Sequence, residues 1–366
     1  MTLACRPTVE LLLVNSSEAA TGVPSRSRLT RLKPFRQGVK LLLGGVVIIA
    51  AGRHVLQTWT GLQSQGIFIQ FEIGWLILAA LAYQVGLVLD GVWFGRILQH
   101  TATPIARLAA IRAYLISHLG KYVPGKALVV IMRVALVVPA GARAATAAFA
   151  TLYETLVMMA AGGLVACLGF LVEPGSRGTV PWLGEVPLAI LAILPACGFL
   201  VLTYPPVFER LTRLISVPFP GVGPDVWPAI PARLQLEGLA WTALGWLFLG
   251  ASQIAVLYGV GYRDLSPEMF PAVIGSVALA TVAGFVVPIS PGGLGVREWV
   301  LWTSLGATLD HGWAVVASLT LRLVWIGAEL VGSAMLAPLG ANRLRNRPVN
   351  APSIHDLSSS VQAELQ

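Results

Sequence analysis

Two short stretches of the chain place cations beside helix-breaking residues inside long apolar runs. The first is Gly120-Lys121-Tyr122-Val123-Pro124-Gly125-Lys126-Ala127, with Arg133 seven residues after Lys126 on a similar helical face. The second is Pro288-Ile289-Ser290-Pro291-Gly292-Gly293-Leu294-Gly295-Val296-Arg297-Glu298. A Pro/Gly break frees backbone groups, which a membrane tolerates only where they are buried in protein or line a wet cavity. The N-terminus of the helix that follows such a break presents N–H groups and a positive dipole end. Cations at that position suit a phosphate. Lys121, Lys126, Arg133 and Arg297 are therefore the candidate phosphate ligands, with Glu298 either orienting Arg297 or meeting a cationic group of the ligand. Pro124, Gly125, Pro291, Gly292, Gly293 and Gly295 are the candidate break or gating residues. The plainer alternatives are lysines that snorkel to the interface and, at the second break, an ordinary interfacial loop.

The first stretch begins like a phosphate loop, but Ala127 stands where that loop needs a magnesium-binding hydroxyl, and no strand precedes it. ATP hydrolysis is not expected. No HExxH, GxSxG or paired-aspartate signature occurs, so no catalytic residue and no cofactor is assigned. Cys5, Cys167 and Cys197 are isolated, have no metal-ligand spacing, and read as small residues, the last two buried in apolar runs. The remaining intramembrane polar residues are Asp90, Glu154, Arg322 and Glu329. Such groups face a bundle interior and pair. Arg322 and Glu329, seven apart on one face, are expected to be structural, and Asp90 is a candidate partner for Arg96. His118 is a lone histidine with a structural reading. Gly91 and Gly95 form a small-xxx-small pair for close helix packing.

The elements that must carry these residues follow from composition. Of 366 residues, 56% are hydrophobic and only 11% charged, which cannot cover a soluble surface. Soluble enzymes, disordered scaffolds and secreted disulfide domains are excluded. An all-α polytopic membrane protein of about 7–8 transmembrane helices, with one or two broken re-entrant segments, remains. Candidate spans are Gly38–Leu56, Gly74–Leu98, Ala144–Val172, Val186–Tyr204, Leu239–Val260, Met269–Val287 and Gly312–Leu339. The interrupted segments are Ala113–Val138 and Val287–Leu309. Residues 1–37 read as a basic cytoplasmic tail rather than a signal peptide, 38–340 as the membrane domain, and 341–366 as a polar tail, both tails without fixed structure.

The chain has 25 Lys and Arg against 17 Asp and Glu. The excess is not arranged along one soluble face, so nucleic acid is not an expected partner. Basic residues in the N-terminal tail, in 96–112, in 205–238 and after 340 put those segments inside, and 57–73 outside. This count makes Ala113–Val138 a hairpin that enters and leaves from the cytoplasmic side. The sidedness of the second break stays open. Val207, Leu211, Leu214 and Ile215 share one face of a short amphipathic helix suited to the membrane surface.

At the two breaks the chain resembles the lysylphosphatidylglycerol synthase transmembrane region, or flippase-like, family, which includes the flippase half of the multiple peptide resistance factor. Ser117-His118-Leu119-Gly120-Lys121-Tyr122-Val123-Pro124-Gly125, followed by Arg133, looks like one family signature. Pro291-Gly292-Gly293-Leu294-Gly295-Val296-Arg297-Glu298 looks like the other. The similarity covers about residues 38–340. Glu154 stands where the family tends to have Glu-Arg, but Thr155 replaces the Arg. The resemblance implies a bundle that moves or binds polar, anionic or zwitterionic phospholipids. Synthase members add a large soluble transferase domain, and this chain, ending soon after its last span, is expected to lack that activity. Two other functions are compatible with the residues. One is a non-catalytic partner of a separate lipid-modifying glycosyl- or aminoacyltransferase. The other is a membrane-embedded transferase using Glu154, Asp90 or Glu298.

Overall fold

Long apolar segments without competing strand patterns fold as helices, because in lipid a helix satisfies every interior backbone N–H and C=O within one segment. The computed structural model describes residues 70–101, 105–122, 127–172, 179–180, 186–216, 230–287, 293 and 295–338. All of them belong to a single unit, residues 49–366. The expected span Gly38–Leu56 and both tails lie outside the described residues.

The described α-helices are α1 (Ile73–His100), α2 (Arg107–His118), α3 (Ala127–Val137), α4 (Ala144–Val172) and α5 (Leu188–Thr203), then α6 (Pro205–Ser216), α7 (Ala232–Gly259), α8 (Phe270–Val286), α9 (Val296–Leu305) and α10 (His311–Leu336). A two-residue antiparallel pair, β1 (Thr179–Val180) with β2 (Val186–Pro187), closes the connection between α4 and α5. Helices α1, α4, α7 and α10, and α8 taken together with the 3-10 turn Pro267–Met269 before it, are long and apolar enough to cross a membrane. The span expected over Val186–Tyr204 is only 16 residues long as α5. It counts as a crossing only together with α6, from which it is bent by 71°. The chain is a multi-pass all-α membrane protein. Leu171, Leu194, Leu323 and Met335 point outward from their helices with no polar cover. Cys197, expected inside, is also on an outward face, and Cys167 is half-buried.

Small residues let these helices approach closely. Helices α1 and α7 run antiparallel: Glu72 N–H donates to Gly259 O at 2.8 Å, Gly86 abuts Gly245 and Leu249, and Gly238 abuts Trp93. At the far end Arg96 Nε pairs with Glu237 Oε1 at 2.8 Å, so Arg96 is not the partner of Asp90. Helix α4 is the buried centre. Gly163 lies on Ala196 of α5, Gly169 on Pro271 and Gly275 of α8, and Gly162 on Trp246 of α7. Gly91 and Gly95 bring α2 onto α1 at Ile111 and Ala110.

The first interrupted segment is a helical hairpin. Helix α2 continues as a 3-10 turn, Leu119–Tyr122, and α3 returns beside it. A Cβ on Gly120 would lie 2.8 Å from Val129 N, so the two legs touch where only a hydrogen fits. The second break is also a hairpin. Gly284 near the end of α8 meets Gly293, whose φ is +73°, and the Cβ of Arg297 in α9. Helix α9 begins at Val296 after Gly295 at φ +85°. Positive φ is open to glycine and strained for other residues, which explains glycines at both positions. Replacing Gly120 by Ala should lower stability by about 1–3 kcal/mol through forced separation of the legs. Gly198→Ala, where an added Cβ meets nothing, should stay within about 0.5 kcal/mol. Thermal unfolding in detergent compares the two, and an unchanged Gly120→Ala would contradict the hairpin contact.

Candidate functional site

The hairpin formed by α2 and α3 carries its cations deep along α1. Ile111 packs at Gly91, whereas Lys121 reaches Tyr83, eight residues and about 12 Å further along α1 at the helical rise per residue. Such a position does not fit a lysine at the helix ends. Lys121 Nζ lies 2.5 Å from Glu329 Oε1 in α10 and 3.3 Å from the Tyr83 hydroxyl. The Tyr83 hydroxyl donates to the same Glu329 oxygen, and His118 Nε2 stands 3.9 Å from it.

Arg133, on the returning leg, is 2% exposed. Its Nη1 donates to Glu154 Oε2 at 2.7 Å and its Nε to Ser117 Oγ at 3.0 Å. Tyr114 completes the knot, donating to Glu154 Oε1 at 3.1 Å, while the guanidinium lies 4.1 Å over the Tyr114 ring. Glu154 therefore has its arginine after all, supplied by α3 rather than by the next residue in α4.

The third pair joins α9 to α10. Arg322 Nη1 donates to Glu298 Oε1 at 2.5 Å, and Glu298 Oε2 accepts the Gly295 N–H at 2.7 Å. Two sequence expectations are corrected here. Glu298 is tied to Arg322 and to the start of its own helix rather than orienting Arg297. Arg322 and Glu329 do not pair with each other; each reaches to a different hairpin.

Arg297 is the exception. It is 8% exposed, yet among the described residues it makes no ion pair. Its guanidinium rests 4.2 Å over the Trp325 ring. Trp325 is itself stacked on Tyr83 at 4.2 Å and anchored by its Nε1–H to Ser252 Oγ at 3.0 Å. The side chain is thus held in place by aromatic faces instead of by a carboxylate.

These groups surround one cavity of about 370 Å³. Lys121, Arg133, Arg297, His118 and Glu154 line it together with the Tyr83, Tyr114, Thr151, Thr155 and Thr281 hydroxyl-bearing side chains. Leu87, Met158, Met159, Leu249 and Phe285 supply apolar wall, and Ala127, Val129 and Val130 place the first turn of α3 at its edge. Both hairpins therefore open onto the same space. Asp90 is buried; it abuts Gly245 of α7 and does not line the cavity. Lys126, Pro124, Gly125, Pro291 and Gly292 lie outside the described residues. No group of three metal-ligating side chains occurs among the described residues.

Tyr83, Tyr114 and Trp325 were not singled out from sequence. Trp325 lies three residues after Arg322 and four before Glu329, so a tryptophan on a charged helix face was the available signal. Tyr83 lies seven before Asp90, on the stripe Tyr83, Leu87, Asp90, Phe94 that α1 buries.

A family model described as Lysylphosphatidylglycerol synthase TM region matches residues 39–328. No curated protein matches the chain. The buried Arg133–Glu154 pair gives a direct test of the site's construction. Removing one partner, as in Glu154→Ala, should destabilise by about 3–5 kcal/mol because it strands a buried charge. The double change Arg133→Met with Glu154→Leu should recover most of that loss in thermal unfolding.

Proposed function

The chain belongs to the lysylphosphatidylglycerol synthase TM region family, and on that footing we propose that it binds the phosphodiester of a membrane lipid in the cavity between the two hairpins and passes that headgroup across the bilayer. The observation that carries this reading is Arg297, a buried guanidinium with no carboxylate within ion-pair distance among the described residues. An unpaired buried charge costs several kcal/mol, so an anion beside it is strongly favoured. Arginine presents a planar fork of donors that matches two phosphate oxygens. The first turn of α3 adds backbone N–H groups without intrahelical acceptors and a positive dipole end.

Lys121 and Arg133 play a different part from Arg297. Each is neutralised by Glu329 or Glu154, so they shape and polarise the cavity rather than wait for a ligand. The lipid is an anionic or zwitterionic phospholipid whose acyl chains stay in the hydrocarbon. The chain sits in the cell's inner membrane with both termini cytoplasmic, and it makes and breaks no covalent bond. Movement is downhill or driven by an ion or the membrane potential.

Proteoliposomes containing only this chain, with headgroup-labelled phospholipids, test the reading. The wild type should move label between leaflets, and Arg297→Ala should slow movement at least about tenfold, equivalent to about 1.4 kcal/mol of lost binding, while unfolding at the wild-type temperature. Equal rates in the two proteins would remove Arg297 from the site. Absence of movement from folded protein that still binds lipid would favour a presenting role beside a separate glycosyl- or aminoacyltransferase.

A further inference from the structure

The hairpin formed by α8 and α9 has a second concave face. Opposite the cavity, α5, α8 and α9 enclose a groove of about 600 Å³, within the roughly 300–1,000 Å³ of ordinary ligand sites. Its walls are apolar, with Leu194, Phe199, Val286 and Val300 among them. Of its two hydroxyl-bearing residues, Ser304 donates back to Val300 O at 2.8 Å. Few polar groups there can hold water, whereas hydrocarbon is fully compatible.

The groove and the cavity share one wall. Along α8, Gly284 and Phe285 line the cavity while Val286 and Val287 line the groove. At the start of α9, Arg297 lines the cavity and its neighbour Val296 the groove. Between them stand Phe199 and Phe285, with ring centroids 5.9 Å apart; Phe199 faces the groove and Phe285 the cavity. A cavity that carries cations and a groove that carries none, one residue apart on a single hairpin, match a molecule whose polar head is joined to an apolar tail. A packed helix from another protein would fill the groove without requiring a cation on the other side of its wall.

We propose that this groove holds an acyl chain of the phospholipid whose phosphodiester Arg297 binds, with the Phe199–Phe285 pair as the partition that the lipid's glycerol region must pass. The proposal rests on the headgroup reading above. It makes the protein a reader of tails as well as heads, so a deacylated headgroup binds more weakly than the diacyl lipid.

Gly198 provides a clean test. It lines the groove, and a Cβ added there meets nothing within 4 Å, so Gly198→Phe starts from open space and puts its ring at the groove. Gly327 of α10 is equally open and lies outside both pockets, so Gly327→Phe is the control. Affinities for two probes, dihexanoyl phosphatidylglycerol and glycerophosphoglycerol, are measured on amphipol-solubilised full chain. The wild type and Gly327→Phe should prefer the diacyl probe by about tenfold or more, since each buried methylene contributes. Gly198→Phe should lose that preference and keep its affinity for glycerophosphoglycerol. A wild type that binds both probes equally, or a Gly198→Phe that keeps the full preference, overturns the groove assignment and leaves the headgroup reading standing. Arg297→Ala should weaken both probes; unchanged affinity for both would overturn the headgroup assignment instead, and with it the link between the two pockets.

Discussion

Charge buried where water is scarce must find an opposite charge, and this constraint organises the membrane domain. Three carboxylates in or beside the cavity, Glu154, Glu298 and Glu329, each take a cation from another element. Glu154 ties α4 to α3, Glu298 ties α9 to α10, and Glu329 ties α10 to the turn after α2. The pairs therefore serve as cross-links that hold two broken helices against the intact ones. Breaking such a pair leaves a stranded charge, which is more damaging than replacing both partners with apolar groups. Against that pattern Arg297 stands out: it is buried, stacked on Trp325, and has no such partner among the described residues.

The hairpins put these charges where they are because glycine allows backbones to touch. Gly120 against Val129 closes the first return where an added Cβ would clash, and Gly284 against Gly293 closes the second at a distance where one would be crowded. Family membership and this geometry bear on the same residues: the matched region, 39–328, contains both hairpins, both partners of the Arg133–Glu154 and Arg322–Glu298 pairs, and Lys121 of the third.

The sequence made much of the scaffold legible. Length and apolar content were sufficient for α4, whose bounds match the expected span, and for α8 within a residue at each end. They overestimated the segment after residue 186, where α5 stops at Thr203 because the chain bends into the amphipathic α6. The cations were recognisable because charge beside a Pro/Gly break in lipid is rare. Their partners were not, since ion pairs such as Lys121–Glu329 join residues 208 apart and depend on how hairpins dock. Helical spacing alone placed Arg322 and Glu329 on one face and suggested a mutual pair; docking gave each a different partner. The aromatic support of Arg297 was invisible for a similar reason: in an apolar span a tryptophan ordinarily signals packing, and only its position under a guanidinium distinguishes it.

The most direct test of the account is whether Arg297 touches lipid phosphate. Dipolar recoupling between phospholipid 31P and the labelled guanidino carbon of arginine, in bilayers containing the full chain, measures that contact. The account predicts strong dephasing of one arginine signal that disappears in Arg297→Lys while the Arg133 and Arg322 signals persist undephased. Dephasing that survives in Arg297→Lys, or an Arg297 signal untouched by 31P, would contradict it.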